Sequence, residues 1–156
     1  MDYSLKVNIE KHLSVELPES LDLTFQIFPA YSEEDEIICG WAGEQLVYLL
    51  TADEQPGGFD DEFYWSGMEK TLRESTPSRN FSTLKKGSYL TNSNHPVSYR
   101  VYKRKFMGED EIYLYHLIKN EKIAYWVMAT VINLSDIFKI SSEVNIIMKT
   151  AILTKH

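Results

Sequence analysis

Four histidines are the first candidates for chemistry, and none of them stands in a recognisable catalytic or metal-binding motif. They are His12, His95, His116 and His156. No two are spaced for joint metal ligation, and a His-Glu-x-x-His motif is absent from the sequence. A metal site needs several converging ligands, so we predict none here. His116 lies between apolar residues and is interpreted as a packed or surface-facing sheet histidine, and His95 as a solvated loop residue.

The serines, glycines and single cysteine offer no catalytic motif either. Trp65-Ser66-Gly67 lacks the leading glycine and the strand-to-helix setting of a nucleophile elbow. Gly57-Gly58 is an isolated pair without the Gly-Lys-Ser/Thr that completes a phosphate-binding loop. Cys39 lies in an apolar run, which indicates a buried structural thiol, and one cysteine excludes an internal disulfide. We therefore predict no catalytic residue and no cofactor.

Carboxylates are plentiful, and calcium is the ion that they would suit. A calcium loop starting at Asp53 would place Gly58 sixth, as an EF-hand requires, but it would place Tyr64 where the bidentate Glu is needed. We predict no calcium site. Two acidic clusters remain as speculative partner-binding residues, either solvated surface or contacts for a basic protein. They are Glu33, Glu34, Asp35 and Glu36 in the first cluster, and Asp60, Asp61 and Glu62 in the second.

Net charge narrows the classes of partner. The chain carries 16 basic and 23 acidic residues, a formal charge of −7. Nucleic-acid binding normally depends on a basic surface that releases counterions, so neither nucleic acid nor an anionic membrane is predicted as a partner. An acidic chain instead favours a basic protein partner.

Positive charge is concentrated in one segment, at Arg100, Lys103, Arg104 and Lys105. Alternation along a strand would place Lys103 and Lys105 on one face and the two arginines on the other. A patch divided between two faces follows a phosphate backbone poorly. We interpret the segment as an edge strand that is protected by its charge.

Length and composition predict a single domain, which we assign to residues 1–156. The chain has 156 residues, of which 44% are hydrophobic, enough to build one core. No stretch approaches the roughly 20 apolar residues that cross a bilayer. The N-terminus lacks the charged and apolar regions of a signal peptide. We expect a cytoplasmic protein, or a periplasmic one if a signal peptide has been removed.

Most of the first half is predicted to form strands. Apolar and polar residues alternate in three segments, and two apolar runs follow; these are Leu5–Ile9, Leu13–Leu17, Leu21–Ile27, Ile37–Trp41 and Leu46–Leu50. Gly43-Glu44 predicts a hairpin between the last two, and Gln55-Pro56-Gly57-Gly58 predicts a loop. Tyr64, Met68 and Leu72 then recur at helical spacing behind a run of carboxylates. That pattern predicts an amphipathic helix over Asp60–Glu74.

The second half carries the strongest strand signal. Val97–Val101 alternates, and two long β-branched and aromatic segments, Ile112–Ile118 and Ile123–Leu134, are separated by a polar turn. This predicts an antiparallel three-strand meander, whose middle strand is apolar on both faces and therefore central. A closing helix is predicted by the spacing of Ile137, Ile140, Val144, Ile147 and Ala151. The element order predicts an α+β fold, a single domain with an antiparallel β-sheet and helices packed on one side.

This layout resembles the small PsbP-like α/β family, including bacterial DcrB-related domains. The likeness is carried by an early strand ending in Leu-Pro, Leu13-Ser14-Val15-Glu16-Leu17-Pro18, and by the loop Asn92-Ser93-Asn94-His95-Pro96 before the meander and closing helix. It extends over Leu5–Leu153, although the stretch after Leu134 is longer than the family pattern requires. The resemblance implies a PsbP-like fold and a mostly non-enzymatic, binding role, and it transfers no site residues.

Three functional hypotheses follow. Similar domains occur beside bacterial type VI secretion systems, so the resemblance implies an immunity protein that neutralises a toxin, with the acidic clusters facing a basic cleft. The alternative is an Eag-type effector chaperone or adaptor, which would need an exposed apolar groove. The aromatic residues considered for that groove are Tyr99, Tyr113, Tyr115 and Trp126. An enzyme whose scattered residues leave no motif is the third hypothesis, and an edge strand could also support a homodimer.

Overall fold

Ten strands and two helices make up the described part of the chain. The computed structural model describes residues 4–10, 13–18, 23–29, 36–74, 81–132 and 137–153. The elements are β1 (Ser4–Glu10), β2 (Leu13–Pro18), β3 (Thr24–Pro29), β4 (Glu36–Ala42), β5 (Gln45–Pro56), α1 (Asp61–Glu74), β6 (Phe81–Leu90), β7 (Pro96–Phe106), β8 (Glu109–Lys119), β9 (Ile123–Val131), α2 (Ile137–Lys149) and β10 (Ile152–Leu153).

The strands form two antiparallel sheets. The large sheet has seven strands in the order β3-β4-β5-β9-β8-β7-β6, and the small sheet has three in the order β1-β2-β10. The predicted α+β fold with its single sheet is therefore wrong, because the described chain is mostly β and has only two short helices. The small sheet lies against the large one through β1, which contacts β4 and β5.

The two helices lie on opposite faces of the large sheet. Tyr125 and Val127 of β9 belong to the core that contains Val144 of α2, together with residues of the small sheet. Trp126, between them in the chain, belongs to a second core with Trp65 of α1. Because successive strand residues point to opposite faces, the prediction of helices on one side is wrong. Strands that are apolar on both faces need a covering layer on each.

The structure confirms the predicted meander, the hairpin that is now β4–β5, and both helices. β7, β8 and β9 pair in succession, with β8 in the centre. Gly43 closes the β4–β5 hairpin with a φ of 62°, a left-handed conformation that glycine adopts without steric cost. Asp60 caps α1 by accepting a hydrogen bond of 2.8 Å from the Phe63 N–H.

Three predictions about strands and loops are wrong. β7 is not an edge strand, because β6, which the sequence pattern did not predict, pairs with its outer side. β5 extends through Gln55 and Pro56, where a loop was predicted. His95 is half-buried, and its Nε2 contacts the backbone carbonyl of Lys119, so it is not simply solvated.

His116 is the buried polar group that connects β8 to α2. It is fully buried, and its Nε2 lies 2.9 Å from Asn145 Oδ1. Its ring stacks on Tyr99, with centroids 5.6 Å apart. Burial lowers the pKa of His116 to about 4, although the hydrogen bond to Asn145 opposes this shift. It is therefore a packed sheet histidine, one of the two alternatives that the sequence left open.

Acid should weaken the fold through His116. The folded state holds the pKa below the ordinary value of 6.5, so the unfolded chain takes up the proton first. We expect the free energy of unfolding to decrease by about 3 kcal/mol as the pH falls from 6.5 towards 4, and this contribution to level off below that. Urea denaturation across this pH range would measure the loss.

The control is His116→Gln, which keeps a polar side chain but does not titrate. Carboxylate protonation affects both proteins alike, so the difference between their pH profiles isolates the histidine. Parallel profiles for the two proteins would contradict the assignment.

Candidate partner-binding groove

A groove of about 710 Å³ lies between α1 and the large sheet. We call it the α1 groove. It is lined by Asp53, Gln55, Pro56, Phe59, Phe63, Tyr64, Ser66, Gly67, Met68, Lys70, Thr71 and Trp126. One wall is the end of β5, the other wall is one side of α1, and Trp126 of β9 contributes from the sheet.

Strand alternation brings the sheet residues of the groove together. Asp53 pairs directly with Trp126 in the β5–β9 register, so their side chains lie on the same face. Gln55, two residues further along β5, also faces the groove. Neighbours that are far apart in sequence therefore share one surface of the sheet.

The rim of the α1 groove carries two exposed phenylalanines. The Phe59 and Phe63 rings stack with centroids 4.2 Å apart, and the residues are 45% and 56% exposed. Tyr64 meets both rings edge-on, with centroids 6.0 Å and 5.7 Å away. Exposed aromatic pairs beside a groove are typical anchors for a partner, because their burial on binding removes a large apolar area from water.

The base of the groove is packed and held by hydrogen bonds. Trp126 is only 8% exposed and meets Trp65 with ring centroids 4.7 Å apart. The Tyr64 hydroxyl donates to the carbonyl of Pro56, which ties α1 to the end of β5. The Trp65 Nε1–H donates 2.9 Å to the Ser98 hydroxyl. These contacts fix the groove before any partner arrives.

A charge cluster fastens the middle of α1 to the sheet. Arg100 donates 3.0 Å to Glu69 Oε1 of the helix, and its guanidinium lies 4.6 Å from the centre of the Trp65 ring. The Tyr102 hydroxyl donates to the same Glu69 oxygen at 3.2 Å. Arg100 therefore has a structural role within the molecule.

Gly67 leaves the helix wall of the groove open. It lies in the middle of α1, where glycine costs about 1 kcal/mol relative to alanine. A Cβ added at Gly67 would meet nothing within 4 Å. The position is thus locally unfavourable and is not required by packing within the chain.

The second acidic cluster lies beside the aromatic rim, at the start of α1. Asp60, Asp61 and Glu62 are all exposed. Asp60 is occupied as the helix cap, and Asp61 Oδ1 lies 3.2 Å from Lys119 Nζ. Glu62 faces the other side of α1, where it lines a polar depression. Their contact with a partner stays a prediction.

The first acidic cluster is only partly within the described chain. Glu33, Glu34 and Asp35 lie outside the described residues. Glu36 begins β4 and pairs with Pro29 of β3.

Three of the four aromatic residues considered for a groove lie together, with the Tyr115 ring centroid 6.3 Å from that of Tyr113 and 6.1 Å from that of Trp126. Trp126 lies at the base of the α1 groove, whereas Tyr99 lies on the opposite face of the sheet beside His116. Tyr115 is 8% exposed within the α1-side core, where burial is the main cause that raises its pKa to about 12. Tyr113 is half-buried and donates to Glu111. The groove that exists is built mainly from other residues.

Residues of the basic segment form ion pairs within the molecule. Arg104 Nη2 donates 2.8 Å to Glu111 Oε2 and 2.9 Å to the Tyr113 hydroxyl. Hydrogen bonds from Tyr113 and then Arg104 hold the pKa of Glu111 below its ordinary value. Lys103, on the other face, lies 3.5 Å from Asp110. The faces divide as alternation predicts.

Neither a metal-ligand cluster nor a membrane-spanning helix is found among the described residues. No group of three or more His, Cys, Asp or Glu among them could hold a metal ion. Neither α1 nor α2 is long and apolar enough to cross a bilayer. Cys39 is buried at 5% exposure, and burial raises the pKa of its thiol, as expected for a structural cysteine.

Solved structures of bacterial proteins have a similar fold. No family model matches this chain, and no curated protein matches it. The structure is similar to PA94 from Pseudomonas aeruginosa, a protein of unknown function suggested to be a regulator, at 15% identity over 99% of this chain and 97% of that one, with a TM-score of 0.53. It is also similar to LpqN of Mycobacterium tuberculosis, described as involved in cell envelope biogenesis, at 10% identity over 99% and 92% of the chains, with a TM-score of 0.61. At these identities the likeness establishes the fold alone.

Sequence reasoning missed the rim of the groove. Phe59 stands immediately before the predicted helix and Phe63 in its first turn, and neither belongs to the buried stripe of Tyr64, Met68 and Leu72. Two aromatic residues beside an already complete apolar stripe are a signal of an exposed aromatic patch. Gly67 in the middle of a predicted helix was the second available signal.

Proposed function

We propose that this protein is a non-catalytic protein-binding domain, and that the α1 groove receives an apolar segment of its partner. The observation that carries the proposal is the stacked, exposed pair Phe59 and Phe63 over a groove that reaches the buried Trp126. Aromatic residues of this kind dominate the binding energy of protein interfaces. The pre-formed groove also lowers the entropy cost of binding.

The chemistry of the lining favours binding over catalysis. Its charged side chains are Asp53 on the strand wall and Lys70 on the helix wall, and both are exposed. The remaining lining is apolar, small or amide. A catalytic pocket typically gathers titratable groups with perturbed pKa values in a water-excluded space. An open apolar groove is suited instead to a side chain or chain segment.

Charge complementarity selects the partner segment. Asp60 and Asp61 lie beside the aromatic rim, and the chain carries a formal charge of −7. Such a field accelerates the approach of a positively charged partner and disfavours an acidic one. We infer an occupant that combines apolar side chains with lysine or arginine.

Of the two specific roles, an effector chaperone or adaptor fits the groove best. Sheltering an apolar segment requires an exposed apolar surface, which the phenylalanine pair supplies. The resemblance to PsbP-like and DcrB-related domains is compatible with both roles. The immunity-protein role is the second candidate, favoured by the carboxylates beside the rim. A regulatory role, as suggested for PA94, or one in the cell envelope, as described for LpqN, is compatible with either.

Comparative capture tests the proposal. Tagged wild type, Phe63→Ala and Phe138→Ala would be expressed in the native organism, and captured proteins quantified by mass spectrometry. Phe138 is the matched control, because it is 61% exposed on α2, across the sheet from the groove. We expect Phe63→Ala to weaken binding of the purified partner about tenfold or more, with little change in stability. Phe138→Ala should bind as wild type does.

The outcomes separate the candidate roles. A partner whose toxicity this protein suppresses would favour immunity, and one held through an apolar segment without suppression would favour the chaperone. If both phenylalanine variants lose the partner equally, or if both retain it, the α1 groove is not the binding site.

A further inference from the structure

Within the described residues, the outer edge of β5 has no strand partner where it borders the α1 groove. β5 pairs with β9 as far as Pro56, but its register with β4 ends at Leu50. Within the described chain, residues 52–56 therefore have a strand neighbour on one side only. An unpaired edge presents backbone donors and acceptors that can template another strand.

The register identifies which backbone groups point outwards. Val47 O accepts from the Ile132 N–H, and the Gly57 N–H donates to Lys122 O. Odd-numbered residues of this segment therefore direct their N–H and C=O towards β9, because hydrogen-bonding direction alternates along an antiparallel strand. The N–H and C=O groups of Ala52 and Glu54, and the C=O of Pro56, point away from β9.

The same edge is a wall of the groove. Asp53, Gln55 and Pro56 line it, whereas Glu54 lies on the opposite face and is exposed. A strand added beside β5 would lie about 4.8 Å from it. Its alternate side chains would enter the groove, and the intervening ones would lie near Glu54.

We propose that the partner segment binds as an extended strand, antiparallel or parallel to β5 at Ala52–Pro56, with apolar residues alternating with lysine or arginine. The inference rests on the proposed function and specifies the conformation and pattern of the occupant. Main-chain pairing supplies affinity in this mode, and the alternate side chains supply specificity. The carboxylate of Glu54 favours basic residues at the outward positions.

A helix is the principal competing occupant. An amphipathic helix docks by side chains alone and places apolar residues three and four apart. It would leave the outward N–H and C=O of Glu54 in water. The two modes therefore differ in whether the peptide backbone of the partner takes part.

Backbone N-methylation distinguishes the two modes. The probe is a capped peptide of about eight residues in which leucine alternates with lysine. Two derivatives carry N-methyl groups on every second residue, one on the leucines and the other on the lysines. In a strand added beside β5, the N–H groups of every second residue face β5, so only one of the two methylation patterns removes them. We therefore expect one derivative to lose binding at least tenfold while the other retains it. Affinities would be measured by calorimetry on the full chain.

Three further measurements test the location and the charge preference. We expect the Glu54 amide to gain protection from hydrogen exchange on binding, and Glu54→Lys to weaken the peptide about two- to five-fold at low salt. A glutamate-for-lysine version of the peptide should bind more weakly than the lysine version.

The inference is overturned if both methylated peptides bind alike, if neither the peptide nor its derivatives bind, or if the Glu54 amide stays unprotected. Its failure is distinguishable from failure of the proposed function. A protein partner that is lost in Phe63→Ala and kept in Phe138→Ala would leave the groove in place and reject only the strand conformation.

Discussion

Replacing Gly57 with alanine is expected to destabilise the protein by about 4 kcal/mol or more, among the largest effects of any single substitution. A Cβ at Gly57 would lie 2.3 Å from the Lys122 carbonyl carbon and 2.4 Å from the Ile123 nitrogen. Both obstacles are backbone, so no side-chain rotation relieves the clash. The backbone must separate where the Gly57 N–H donates 3.1 Å to Lys122 O.

The matched control is Gly67→Ala, a change of the same chemical size in open space. It should stabilise the protein by about 0.5–1 kcal/mol, because alanine is the better helix former and nothing lies within reach of its Cβ. Urea denaturation of both variants at neutral pH gives the comparison. Equal stabilities for the two variants would contradict the close approach of Gly57 to the β8–β9 turn.

Trp65→Ala is expected to cost about 4 kcal/mol, by removing the side chain that joins α1 to the sheet. Trp65 is 3% exposed and packs on Trp126 and Tyr102. It also donates to the Ser98 hydroxyl and lies beneath the guanidinium of Arg100. The substitution leaves a cavity and removes a hydrogen bond and a cation–π contact together.

Trp65→Phe separates the packing from the hydrogen bond. It keeps a ring in the core, so we expect a loss of about 1–2 kcal/mol from the indole donor and the missing volume. Hydrogen exchange should show that α1 amides lose protection in the alanine variant more than those of β8 and β9. A phenylalanine variant as unstable as the alanine variant would show that ring packing is not the main contribution.

Most strands were predictable because at least one face of each is buried. Val97–Val101 and the segments that became β8 and β9 alternate or are continuously apolar, and they pair as the sequence predicts. β6 was not predictable, for a physical reason. Its register with β7 shifts between Thr83 and Lys85, and Leu84 is 41% exposed. This irregularity interrupts the alternation of apolar and polar residues by which a strand is recognised in a sequence.

The layer arrangement was present in the sequence but misinterpreted. Ile112–Ile118 is apolar at every position but His116, which predicts burial on both faces. Helices packed on one side of the sheet cannot cover both of its faces. α1 covers one face of the large sheet. The opposite face is covered by α2 and by the small sheet, whose strands β1 and β2 are separated along the chain from β10.

The groove could be predicted only in part, because its walls come from distant segments. Phe63 and Gly67 belong to a helix that the sequence identifies, but their position opposite Trp126 depends on the β5–β9 pairing. Asp53 and Trp126 face each other across that pairing although many residues separate them. A single sequence gives no register between non-adjacent strands.

The central claim is that the α1 groove holds the partner, and Gly67→Trp tests it most directly. A Cβ at Gly67 meets nothing within 4 Å, so the indole can project into the groove, and tryptophan is a better helix former than glycine. Calorimetry with the purified partner should show an affinity loss of about tenfold or more, while urea denaturation shows no loss of stability and Gly67→Ala binds normally. Unchanged affinity in a folded Gly67→Trp protein would contradict the claim and place the partner elsewhere on the surface.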